Sequence, residues 1–186
     1  MTAKFTYAKL IFLFTVCFLY SSACFANGLP ISTMNCHSLV GRINATLPLL
    51  GKKDFRCSTP ILKSVSSDEK GFYCYIDRQN IYRPANGLIV LNETNDGKTI
   101  TIGITWEADD KRKTEQVMFV MSSAMIACGL TLDEATQLVE SFKQALGKRN
   151  RASVWSQNLN RYYSLAVDKM GDGIYCILLI ATDGLP

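Results

Sequence analysis

Among 186 residues there are seven cysteines and one histidine, and Cys36-His37 sets that histidine directly beside a thiol. A cysteine nucleophile needs an imidazole within hydrogen-bond reach to take its proton. Neighbours on a helix point about 100° apart, so a working dyad requires His37 to approach Cys57, Cys74 or another thiol through the fold. No second histidine, C-x-x-C, G-x-S-x-G, P-loop or G-x-G-x-x-G pattern is present, so the sequence signals neither a metal nor a cofactor. Asp168 with Asp172-Gly173 lacks the alternating oxygen ligands of a calcium loop. Asp-Gly supplies the positive φ angles of a tight hairpin turn, which explains these residues better. Asp109-Asp110 reads as a solvated turn rather than a catalytic carboxylate pair.

The compartment decides how the cysteines are read. Residues 1–26 carry Lys4 and Lys9 ahead of an apolar run from Leu10 to Tyr20, then small residues. This is the order of a secretory signal peptide, with cleavage expected after Ala26. The alternative is a lipoprotein signal ending at Cys24, although the usual leucine three residues earlier is missing. The apolar run is short of the roughly 20 residues that a spanning helix needs. Removing the leader discards Cys17 and Cys24 and leaves Cys36, Cys57, Cys74, Cys128 and Cys176. In an oxidising compartment spaced cysteines are usually structural. An odd number allows at most two bridges. Cys36 to Cys57 is the favoured pair because it pins the first helix to an unsupported loop, a closure of about 20 residues contributing roughly 3 kcal/mol in the chain-entropy model. Cys74 and Cys176 are expected as buried thiols, or bridged to each other or to Cys128.

The leader also takes two of the 20 basic residues and none of the 16 acidic ones, so the balance falls from +4 to +2. That is too small to argue for nucleic acid. Three local basic clusters, Lys52-Lys53 with Arg56, Lys111-Arg112-Lys113, and Lys148-Arg149 with Arg151, are read as solvated loops. Asn44-Ala45-Thr46 and Asn92-Glu93-Thr94 have the glycosylation spacing and matter only in a eukaryotic host.

Binding, as opposed to catalysis, has more candidates. The segment containing Met118, Met121 and Met125 is apolar nearly all round a helix, so it is covered on more than one side. Either it lies between a neighbouring helix and a sheet, or its methionines line a groove for a partner or apolar ligand. Aromatic residues Tyr73, Tyr75, Trp106, Trp155, Tyr162 and Tyr163 decorate the strands and form the second candidate surface.

These residues must be positioned by elements that the periodicity predicts. Cys36, Leu39, Val40, Ile43 and Leu47 give one helix face from Asn35 to Leu47, limited by Pro48. Residues 61–66 and 72–77 form a hairpin, and strands 88–92 and 99–106 flank Asn95-Asp96-Gly97. In the latter, Ile100, Ile102, Ile104 and Trp106 alternate with Thr99, Thr101, Gly103 and Thr105, predicting one buried and one wet face. A second helix spans Glu115 to Cys128 and ends at Gly129. A capping box at Thr131 and Glu134 opens a third, which stops at Gly147. Strands 162–168 and 174–181 close the chain, the last apolar on both faces and therefore expected inside the sheet. Gly71 to Ile76 resembles Gly173 to Leu178, and each hairpin follows a helix, which suggests a duplicated helix-hairpin unit.

The expected fold is α+β: a curved antiparallel sheet with helices packed on one face, one domain over residues 27–186. The composition, 48% hydrophobic and 19% charged, excludes a disordered tail, a fibrous rod and a polytopic membrane protein. The functional expectation is a small exported, non-catalytic binding protein, periplasmic or secreted, taking a protein partner or a small apolar ligand, as an inhibitor or immunity-like factor would. Two alternatives stand beside it. One is a thiol-dependent hydrolase or redox enzyme using an unpaired cysteine with His37; the other is an envelope lipoprotein anchored at Cys24.

Overall fold

The computed structural model describes residues 30–52, 55–78, 87–107, 111–146, 151–170 and 173–182. The leader with its two alternative endings, Asp109-Asp110, Asp172 and the expected stop at Gly147 lie outside the described residues.

Helix α1 (Cys36–Thr46) begins where Asn35 caps it, the Asn35 side chain accepting the Ser38 N–H at 2.8 Å. It buries Cys36, Leu39, Val40 and Ile43 along one side. Pro48 does not stop the chain there. Residues Leu47–Leu50 continue as one tighter 3-10 turn with the proline near its start, where a missing N–H costs nothing, and Gly51 closes the turn at φ 78°.

Five strands follow: β1 (Phe55–Cys57), β2 (Ile61–Val65), β3 (Glu69–Arg78), β4 (Gly87–Thr94) and β5 (Thr99–Glu107). Then come helices α2 (Lys111–Ala127) and α3 (Leu132–Leu146), and strands β6 (Arg151–Ser156), β7 (Arg161–Met170) and β8 (Gly173–Ala181). All strand pairs are antiparallel, in the order β1-β3-β4-β5-β8-β7-β6, with β2 also paired to β3. The sheet is open rather than closed into a barrel. Strand β8 is interior, between β5 and β7, as its doubly apolar sequence predicts.

One core joins the helices to one face of the sheet. Leu39 and Ile43 of α1, Val120 and Met125 of α2, and Phe142 of α3 pack with Leu91, Ile104 and Leu178 of the strands. Helix α2 sits between its neighbours, touching both α1 and α3. Lys52 adds a surface tie by placing its ammonium 4.4 Å from the centre of the Phe119 ring. At the far end of α2, Gly129 takes φ 106°, a left-handed turn that a side chain disfavours. The capping box forms as expected: the Thr131 N–H donates to Glu134 Oε2 at 2.7 Å and the Glu134 N–H to Thr131 Oγ1 at 3.2 Å. These bonds hold the Glu134 carboxyl below its ordinary pKa. No described helix is long and apolar enough to cross a membrane.

The structure differs from the sequence-based expectation in four places. Lys111-Arg112-Lys113 forms the first turn of α2 rather than a loop; lysine and arginine are good helix formers, while basic residues at a helix start oppose its dipole and so hide the boundary. Strands β1 and β6 carry no clear alternation and were not anticipated. Thr99, Thr101 and Thr105 are buried, not wet: Thr105 lies between Leu88 of β4 and Ile177 of β8, and the Thr99 hydroxyl donates to the Met34 carbonyl at 2.8 Å. Finally, the two similar hairpins occupy different places. Strand β3 lies near one edge and β8 near the middle.

Candidate functional site

The chemistry-bearing side chains gather first around the start of α1. Glu93 on β4 is buried and its Oε2 accepts the Cys36 backbone N–H at 2.8 Å. The Cys36 thiol lies 3.9 Å from Thr99 Oγ1. Burial, and then the Glu93 charge, push this thiol far above its ordinary pKa. His37, on the same turn, is exposed and meets the Phe72 ring edge-on at 5.5 Å between centroids. The imidazole thus addresses a ring.

All five described cysteines are buried free thiols. Burial raises Cys128 to about 12, against the opposing pull of Arg161, and raises Cys176 to about 11. Cys74 is raised well above its ordinary value by its hydrogen bond with Cys57 and by burial. A nucleophilic or redox-active cysteine needs the opposite shift, so these surroundings give a thiol-dependent reaction no support. Among the described residues no group of three or more His, Cys, Asp or Glu side chains is arranged to hold a metal ion. Asp168 instead faces Arg151, with Asp168 Oδ2 3.8 Å from Arg151 Nη2.

Cys36 and Cys57, the expected bridge, are separate free thiols in this region, Cys36 lying against Thr99. Cys57 ends β1 and is gripped by Asn44 of α1: its N–H donates to Asn44 Oδ1 at 2.6 Å, and Asn44 Nδ2 donates to its carbonyl at 2.9 Å. A glycan on Asn44 would displace that grip, and Asn92 of the other acceptor sequence is buried.

The binding candidates separate into two groups. Met121, Met125, Trp106 and Tyr163 are buried in the core between helices and sheet, and Met118 packs half-buried against it. The methionine helix is therefore the middle layer of a helix row, with no open groove at Met121 or Met125. The remaining four share the sheet face away from the helices. Strand alternation decides this: Phe72 and Cys74 point to the helices, so Tyr73 and Tyr75 point away; Tyr163 points to the helices, so Tyr162 and its cross-strand partner Trp155 point away.

On that face the registers align two rows across the sheet. One runs Tyr73, Val90, Gly103, Leu179, Ser164; the next runs Tyr75, Leu88, Thr105, Ile177, Ala166. Leu88, Ile177 and Leu179 are buried although all three helices pack on the opposite side. Tyr73 and Tyr75 flank this apolar floor as an edge-to-face pair 5.6 Å apart. Trp155 and Tyr162 flank it on the other side with centroids 4.5 Å apart. Trp155 is 41% exposed, the most accessible of the four. The floor is what the sequence reading missed. Its signal was the doubly apolar strand β8, which requires both sheet faces to be apolar.

Comparison with known protein families, with characterised proteins and with solved structures yields no match.

Proposed function

We propose that the chain is an exported, non-catalytic binding protein that holds a protein partner on the non-helical face of its sheet. The observation that carries this reading is the placement of two aromatic pairs, Tyr73/Tyr75 and Trp155/Tyr162, on one face with the apolar floor of Leu88, Ile177 and Leu179 between them. A half-exposed antiparallel sheet ordinarily turns polar residues outward. Tyrosine and tryptophan offer large contact area at little entropic cost and are enriched at protein interfaces. The floor anchors the strands that carry the rings, so the rings meet a partner already ordered. Export comes from residues 1–26, and an inhibitor or immunity-like role is the matching biological form.

Affinity purification from the envelope fraction tests this with paired variants. Trp155→Ala and Tyr73→Ala are expected to lose a partner that the unaltered chain retains, with unchanged circular dichroism. Equal recovery of the same partner by both variants would contradict the assignment of the face.

A further inference from the structure

The thiol cluster has a pairing order written into the strand register. Cys57 pairs with Ile76 across β1 and β3, so Cys74, two residues before Ile76, is its diagonal neighbour on the same face. The neighbouring Cys57 side chain, together with burial, holds the Cys74 thiol well above its ordinary pKa. Asn44 fixes the Cys57 backbone from α1. The Ser58 N–H donates to the Tyr75 carbonyl at 2.8 Å, and the Tyr75 N–H to Ser58 Oγ at 2.9 Å. These bonds fix Cys57 itself and the residue that follows each cysteine, Ser58 and Tyr75. Cys36 is close by but occupied differently, with its thiol against Thr99 and its N–H on Glu93.

We propose that Cys57 and Cys74 close a structural disulfide as the chain folds in an oxidising compartment, and that Cys36 remains unbridged. The bridge staples the three-residue strand β1, the shortest of the sheet, to β3. The oxidant is a protein or glutathione disulfide. One cysteine, as thiolate, attacks a sulfur of that disulfide and expels its first thiol; the second cysteine, as thiolate, then attacks the mixed disulfide and expels the other. Two thiol protons and two electrons leave the chain, and the external disulfide is reduced to two thiols. Both sulfurs are shut from solvent in the folded chain, so exchange takes place before β1 docks.

This rests on the export reading for its setting but not for its pairing, and the experiment separates the two. The purified chain is reduced, unfolded in urea, diluted into a mixture of reduced and oxidised glutathione, alkylated, and digested with trypsin without reduction. The expected product is peptide 57–63 joined to peptide 71–78, with Cys36, Cys128 and Cys176 alkylated. A joined peptide containing Cys36, or five alkylated thiols, overturns the proposal. Cys57→Ser and Cys74→Ser are each expected to lower Tm by about 5–10 °C, the double variant no more than either alone, and Cys36→Ser to keep the bridge. A strictly additive double variant contradicts it. The same map on chain recovered from the export compartment reports the setting. Bridged after refolding but reduced in that compartment, the chain would keep its pairing and lose the export reading.

Discussion

The Glu93 carboxylate accepts the backbone N–H of Cys36 at 2.8 Å and so ties β4 to the first turn of α1 across 57 positions of sequence. A negative group at a helix start meets both the orphan N–H groups and the positive end of the helix dipole. Because Glu93 is buried, removing it leaves a backbone donor without a partner out of water. Glu93→Ala should lower unfolding free energy by about 2–3 kcal/mol in a urea titration. Glu93→Gln, which keeps an acceptor oxygen, should lose less. Equal losses for the two would assign the effect to packing.

Asn44 plays the corresponding part at the other end of α1. One side chain satisfies both backbone groups of Cys57, and no other described bond joins α1 to β1 through side-chain atoms. Asn44→Ala is expected to cost about 1–3 kcal/mol. Amide exchange should show the loss first at Cys57 of β1, before its neighbour β3 is affected. Global loss of protection without this local step would contradict the assigned role.

Much of this architecture is legible in the sequence where the signal is local. Asn35 and the Thr131–Glu134 box mark helix starts, and alternation marks β5. Strand β1 is not legible, because three residues held by an asparagine on a helix have no pattern of their own. The aromatic candidates could be named from residue type, yet sorting Tyr162 from Tyr163 requires the register of β7 with its neighbours. Met121 and Met125 misled for a physical reason. A helix apolar on all sides is the mark of a groove and equally of a helix flanked by two others, and α2 touches both α1 and α3.

The buried thiols give the fold an alkaline weakness. In the unfolded chain Cys128 and Cys176 ionise near the ordinary thiol value of about 8.5, whereas burial holds them at about 12 and about 11 in the folded chain. Keeping them neutral is fully compatible with folding below the unfolded value. Above it the unfolded state loses protons that the folded state keeps, so stability falls as pH rises toward 11, by up to about 1.4 kcal/mol per unit for each thiol. Cys176→Val should flatten the decline between pH 9 and 11 in urea titrations. An unchanged slope would remove Cys176 as a source.

The two tryptophans report on opposite sides of the sheet. Trp106 is 2% exposed and its indole N–H has no hydrogen-bond partner among the described residues, while Trp155 is 41% exposed. Acrylamide should therefore quench the Trp106→Phe variant, in which Trp155 alone emits, several-fold more strongly than the Trp155→Phe variant. Similar quenching of both would place Trp155 out of solvent and weaken its role as a contact.

Site-specific photo-cross-linking in the expressing cell shows most directly which face of the sheet meets a partner. A benzophenone side chain at position 155 or 73 should capture one protein, and the same group at the exposed position Gln137 on α3 should not. Capture from Gln137 alone, with none from the sheet face, would contradict the account.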